Sequence, residues 1–149
     1  MQAGLNAALI VLYDHNGRIL LQHRSEDAER LPSYWAFFGG GVRDGETPLE
    51  AVKREAVEEL KCELNNPMLF LEQDFKLSNA EGHIFVFIEP FCGDKSALEL
   101  REGQGWGWFT MDEIVNLKMI GHDMEIARKI VTSIRKTTYI TPPLRSSKP

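Results

Sequence analysis

The sequence predicts an α/β fold, with a mixed, largely antiparallel sheet covered by helices. Three observations carry this. Apolar, β-favouring runs and helical segments follow one another in the order β-β-β-α-β-β-(β)-α-α. Neighbouring runs are joined by short polar turns, which suit antiparallel hairpins. The chain has 149 residues with 43% hydrophobic and 26% charged content, the size and balance of one globular domain. We place that domain at 1–136, followed by a loose tail at 137–149.

Taken in order, residues 5–14 (LNAALIVLYD) form an apolar strand. His15-Asn16-Gly17 follows, and Asn-Gly is a strong hairpin signal. Residues 18–24 (RILLQHR) are the returning strand. Residues 25–33 are polar, contain Pro32 and read as a loop; residues 34–38 (YWAFF) are a short aromatic strand running into three glycines. The helix after the glycines is the best-marked element. Thr47 suits the N-cap, Pro48 the first helical position, and Glu50 completes a capping box. Leu49, Val52, Ala56 and Leu60 recur at helical spacing as a buried stripe. Glu55, Glu58 and Glu59 stand at i, i+3 and i+4 on a different face. Carboxylates this close raise one another's pKa unless a cation sits among them. Oxygen donors in such a set match a hard divalent cation such as Mg²⁺.

After Asn65-Asn66-Pro67, residues 68–77 and 83–91 read as two strands pairing across a turn at 78–82. His83 reads as a hydrogen-bonded structural histidine in preference to a catalytic base. Residues 98–100 form a short edge strand, 111–117 a short helix capped by Thr110 and Glu113, and a second helix runs from Met119 or Gly121 to Arg135. Ile126, Ile130 and Ile134 are its core face. His122 and Asp123 head that helix, where Asp123 reads as a helix cap in preference to a contact with a base or ribose.

Composition excludes several classes. A net charge of −5 argues against an extended nucleic-acid or membrane surface, though not against a small phosphorylated ligand. No apolar run is long enough to span a membrane, and no secretory signal is visible. Cys62 and Cys92 are too few for a disulfide framework and read as reduced thiols, so the expectation is a cytoplasmic protein.

Gly40, five residues, Glu46, seven residues, then Arg54-Glu55, a small apolar residue, any residue, and Glu58-Glu59 resemble the Nudix box of the Nudix (MutT-type) hydrolases. The chain departs from the box at Lys61, where members usually have Gly, and at Cys62, where they have an aliphatic residue. It also has Phe38 where many have Pro. Lys61 either takes on the strain of a left-handed helix end or lets the helix run on.

The resemblance implies a Nudix-type α/β/α sandwich and hydrolysis of a nucleoside diphosphate linked to another group. It implies Mg²⁺ or Mn²⁺ held by Glu55, Glu58, Glu59, the Gly39 carbonyl and Glu102. Arg54 orients a glutamate and Glu46 braces the loop. The general base is one of Glu55, Glu58, Glu59 and Glu102, with Glu58 or Glu59 preferred. Arg24 is the basic residue near substrate phosphates, unless it pairs with Glu26 or Asp27. Trp35 is core or a stacking surface for a base. The partner is a nucleotide, such as a (d)NTP, an oxidised NTP, ADP-ribose or a nucleotide sugar, and the chain is a monomer or homodimer. A non-catalytic nucleotide sensor on the same fold is the alternative. It has no need of the full Arg54, Glu55, Glu58 and Glu59 set.

Overall fold

The computed structural model describes residues 2–78, 80–101 and 103–140. Period-2 alternation in the strands sets its layers. Along β1 (Gln2–Tyr13), Ala8, Ile10 and Leu12 face one core, while Leu9 and Val11 face another. In β2 (Ile19–His23), Leu20 joins the first core, and Ile19 and Leu21 join the second. The same split runs through β6 (Ala80–Pro90), with Phe85 and Phe87 against Ile84, Val86 and Ile88. A sheet apolar on both faces must be covered on both. On one side lies α1 (Pro48–Leu60), through Ala51, Val52 and Leu60; on the other lies α3 (Gly121–Ile140), through Ile126, Ala127, Ile130, Val131 and Ile134. The fold is an α/β/α sandwich.

Among the described residues seven strands form the sheet, in the order β3-β2-β1-β6-β5, with β4 also pairing β1 and β7 pairing β2. Here β3 is Trp35–Ala36, β4 is Phe38–Gly41, β5 is Met68–Leu77 and β7 is Gly105–Phe109. Pairing is antiparallel except between β1 and β6, which run parallel, so the sheet is mixed. The β1–β2 turn is organised by Asp14, whose carboxylate accepts from the Asn16 and Arg18 backbone N–H groups and from Lys95 Nζ at 2.7 Å, while Gly17 sits at φ 78°.

Several expectations need correction. The aromatic run at 34–38 is split into β3 and β4 rather than forming one strand. Residues 98–100 are not a strand. The backbone N–H groups of Glu99 and Arg101 instead donate to the Leu60 and Glu59 carbonyls, at 3.0 Å each, closing the C-terminal end of α1. Pairing with β2 is made by β7. The short helix α2 (Met111–Ile114) ends before residue 117. Leu49 is 40% exposed and Ala51 takes its place in the buried stripe. Finally, α3 continues past Arg135 to Ile140, into the stretch expected to be tail; residues 141–149 lie outside the described residues.

The end of α1 resolves the question at Lys61. Its backbone is left-handed, φ 55° and ψ 40°, with Lys61 N–H donating to Val57 O and Cys62 N–H to Ala56 O. The left-handed residue with its bond back to Val57 is the αL helix ending that glycine usually makes. A lysine there carries about 1 kcal/mol of strain, and its exposed ion pair to Glu99 at 3.2 Å offsets little of it. Lys61→Gly is therefore expected to raise stability by about 1 kcal/mol, read from the urea midpoint. A fall in that midpoint would show that the side-chain contacts outweigh the backbone.

Candidate active site

The glycine-rich strand β4 and helix α1 are held together by side chains of α1. Glu59 is buried, and its Oε1 accepts from Gly39 N–H at 2.9 Å. That bond ties the carboxylate face of the helix to β4. Gly39, at φ 138°, lies against the Ala8 and Leu9 backbone, with no room for a β-carbon. Gly40 has no such backbone crowding. A β-carbon there would meet the Glu55 carboxylate, 2.8 Å from its Cδ.

Arg54 is the hub. Its Nε and Nη2 donate to the two oxygens of Glu46, at 2.6 and 3.0 Å, a bidentate pair. Nη2 also donates to Gly41 O at 3.0 Å, and Nη1 donates to Glu55 at 3.0 Å and to Glu58 at 3.2 Å. Arg54 thus supplies a cation from the chain itself to two of the three clustered glutamates, Glu55 and Glu58. Hydrogen bonding to Glu46 raises the Arg54 pKa further, so it stays charged at any working pH. Arg43 lies 3.9 Å from Glu58, which is half exposed.

Glu46 is held down at a pKa of about 2, first by the Arg54 hydrogen bond and then by the Arg43 backbone N–H. Its ordinary value is 4.5. A folded pKa below the unfolded one contributes stability that is complete above the unfolded value and drains away as pH falls through the folded one. Between about pH 4.5 and 2, wild-type protein is therefore expected to lose stability more steeply than Glu46→Gln. Urea melts at pH 7, 4 and 3 measure this; parallel curves for the two proteins would remove Glu46 from the account.

A cleft of about 340 Å³ opens beside this cluster. Gly39, Gly40 and Gly41 line one wall; Asn6, Arg24, Arg30, Phe37, Phe75 and Asp123 line others. Arg24 does not pair with Glu26 or Asp27. Its Nε donates to the Arg30 carbonyl at 2.9 Å, which closes the 25–33 loop on itself and sets both arginines at the cleft. Trp35 is not part of the lining. It stacks on His23 with ring centroids 4.6 Å apart and meets Phe109 edge-on at 5.0 Å, packed against the core under α3. Its ring is engaged by His23 of β2 and Phe109 of β7, in keeping with the core alternative. Glu102 lies outside the described residues.

Other residues stand as the sequence suggested or close to it. His83 Nδ1 lies 2.8 Å from Asp74 and Nε2 2.7 Å from Glu72; these bonds raise its pKa and fix it as a cross-strand tie. Cys62 is buried and Cys92 exposed, both free thiols. Asp123 was expected to cap α3. It lies in the first turn of α3, buried in the cleft wall, with its carboxylate 3.1 Å from His122 Nδ1. Arg30, Asn6 and Phe75 were missed. Arg30 sits in a polar loop, and Asn6 and Phe75 sit inside strands, where nothing local marks a cleft.

Among the described residues no three His, Cys, Asp or Glu side chains already converge on a cation position. Arg54 engages Glu55 and Glu58, and Gly39 N–H engages one oxygen of Glu59. The donor set is nonetheless all hard oxygen on one helix face, and the missing β-carbon of Gly40 gives the Glu55 carboxylate its place against β4. That chemistry fits a divalent cation of the Mg²⁺ type. No helix among the described residues is long and apolar enough to cross a membrane.

Residues 5–130 match the NUDIX domain. The chain belongs to that family. This Nudix hydrolase is 26% identical over 128 residues to the nucleoside triphosphatase NudI of Escherichia coli, covering 79% of this chain and 87% of the relative. Its fold is that of a MutT protein from Methanosarcina mazei, with a TM-score of 0.74 and 20% identity over 92% of this chain and 96% of that one. It also resembles the E. coli dihydroneopterin triphosphate pyrophosphohydrolase, with a TM-score of 0.73 and 17% identity over 89% of this chain and 99% of that one.

Proposed function

We propose that this Nudix hydrolase cleaves the pyrophosphate linkage of a nucleoside triphosphate or a nucleoside-diphosphate derivative, with Mg²⁺ or Mn²⁺ as cofactor. The observation that carries this reading is the bond from Gly39 N–H to Glu59, which sets a row of carboxylates beside a cleft bearing two arginines. The similarity to a nucleoside triphosphatase and to a dihydroneopterin triphosphate pyrophosphohydrolase supports the same substrate chemistry.

Glu55, Glu58 and Glu59 are the residues that hold the cation, which supplies charge neutralisation for a phosphate chain and acidifies water. The chain's own groups do the rest. Arg54 is a positioning residue: it fixes the rotamers of Glu55 and Glu58, and Glu46 fixes Arg54 in turn. Arg24 and Arg30 attract the phosphate chain into the cleft and neutralise its outer oxygens. Glu58 or Glu59 takes the proton from the attacking water. Glu58 is the more accessible, and Arg54 orients its carboxylate.

The test is release of phosphate or pyrophosphate from a panel of nucleotides, with Mg²⁺, with Mn²⁺ and with chelator. Release that requires the cation supports the reading. Tight nucleotide binding with no release under any of these conditions would identify a sensor module instead.

A further inference from the structure

In β2 the run Ile19-Leu20-Leu21 is followed by Gln22, which is only 5% exposed. An amide that far from water needs bonded partners. Its Nε2 donates to the Phe37 carbonyl at 3.0 Å, and the bond is buried. The proposed reaction gives Gln22 no task.

Phe37 is where the aromatic run divides. Before it, β3 pairs with β2, with Ala36 opposite Gln22. After it, β4 pairs with β1, with Phe38 opposite Ile10 and Gly39 opposite Leu9. The chain changes partner strand at Phe37, which belongs to neither β3 nor β4. Outside a ladder, a carbonyl has no neighbouring strand to fix its direction. The Gln22 amide fixes it. The consequence falls on the site, because Gly39 lies just beyond Phe38 and its N–H donates to Glu59 Oε1 at 2.9 Å. Peptide groups are planar and stiff, so a rotation at Phe37 propagates into the peptides that follow. Pairing with β1 sets the register of β4, and Gln22 sets the angle at which β4 starts.

We propose that Gln22 is a positioning residue for the reaction: by holding the Phe37 carbonyl where the chain crosses from β2 to β1, it aims Gly39 N–H at Glu59 and so fixes that carboxylate for the cation. It acts through the backbone alone. This rests on the reading that Glu59 belongs to a cation site, and it adds to that site a group from β2 that none of the box residues predicts.

Two variants test it. Gln22→Met keeps the length of the side chain and removes the donor; Gln22→Glu keeps the shape and makes donation depend on protonation. Amide exchange in cation-free protein reads the Gly39 bond directly. Gly39 N–H is expected to exchange roughly tenfold faster in Gln22→Met than in wild type, while core amides of β1 and β6 keep their protection. Calorimetry with Mn²⁺ alone should show roughly tenfold weaker binding in Gln22→Met, and kcat/KM should fall by a similar factor. In Gln22→Glu, activity relative to wild type should be near wild type at low pH, where the buried carboxyl is protonated and its O–H can donate to the Phe37 carbonyl. It should fall as pH rises through the burial-raised pKa of that carboxyl, whereas Gln22→Met gives a flat ratio. In the Glu59→Gln background, Gln22→Met should cost nothing further, because the two act as one unit. Circular dichroism melts show that each variant is folded; if Gln22→Met is not, Gln22→Glu at low and high pH makes the same comparison within one protein. Unchanged Gly39 exchange in a folded variant overturns the inference, as does a full further loss in the Glu59→Gln background, the mark of a general packing defect. If wild type releases no phosphate from any nucleotide, the hydrolase reading fails, while faster Gly39 exchange and weaker Mn²⁺ binding in Gln22→Met leave this inference standing. Cation-dependent hydrolysis that Gln22→Met leaves intact does the reverse, and wild type that binds no Mn²⁺ defeats both.

Discussion

Glu59→Gln is expected to lower turnover by roughly 10²- to 10³-fold, the scale seen when one preorganised electrostatic contact to a transition state is removed, while leaving the fold intact. The substitution keeps the shape of the side chain. Its amide oxygen can still accept from Gly39 N–H, the 2.9 Å bond that ties α1 to β4. What disappears is one negative charge from a site proposed to hold a doubly charged cation. Glu58→Gln should have an effect of similar size on turnover but a smaller one on structure, because Glu58 is half exposed whereas Glu59 is buried. Glu125→Gln, on the exposed face of α3, is the control for loss of a carboxylate elsewhere. The measurement is kcat against Mg²⁺ concentration, with thermal melts alongside. Full activity in folded Glu59→Gln would end the assignment of this face to the cation. A shift in the Mg²⁺ midpoint with kcat restored at saturation would limit Glu59 to affinity.

The reach of the sequence can be judged from α1 and its surroundings. Thr47, Pro48 and Glu50 mark the helix start, and both bonds of the capping box are formed. These are local signals, carried by neighbours in the chain, so they can be read without a fold. The same holds for the alternation in β1 and β6, which requires covered faces on both sides. The parallel pairing of β1 with β6 was not legible, because parallel strands are joined by a long crossover and no turn announces them. Strand β7 hid behind Gly105 and Gly107, which lower strand propensity although its tryptophans favour it. Residues 98–100 looked like a strand because Leu, Glu and Leu alternate. Yet the N–H groups of Glu99 and Arg101 serve helix carbonyls from a distant part of the chain.

The site divides along the same line. The box residues sit within one helix and its loop, so their spacing places them. Arg54 could be expected near the glutamates, but not that it would engage Glu46, Glu55, Glu58 and Gly41 at once, since that depends on how the loop folds back. Asp123 and Arg30 reach the cleft from opposite ends of the sequence. Within α3, Asp123 has the signature of a helix cap, and only tertiary packing turns it toward the cleft wall.

The two adjacent glycines of β4 should fail in different ways when given a methyl group. At Gly39 the new β-carbon would collide with the Ala8 carbonyl and come within 2.7 Å of Leu9 Cα, and φ is 138°. Neither neighbour can yield, because β4 is paired to β1 at that register, Leu9 opposite Gly39. Gly39→Ala is therefore expected to cost several kcal/mol, on the order of 3 from strain and overpacking together, and to lower the melting temperature sharply. At Gly40 the collision is with the Glu55 carboxylate, the free end of a side chain. A carboxylate can swing away at small cost to the fold, but it then leaves Arg54 and its place against β4. A displacement of about 1 Å in a catalytic array costs on the order of 10²-fold in rate. Gly40→Ala is accordingly expected to melt within a few degrees of wild type and to lose about two orders of magnitude in kcat/KM. Melting curves and steady-state kinetics on the pair decide the matter. If Gly40→Ala kept its activity, Glu55 would have no catalytic demand on its position, and β4 would be a structural turn alone. If Gly39→Ala proved as stable as wild type, the close approach of β4 to β1 would not be what fixes the wall of the cleft.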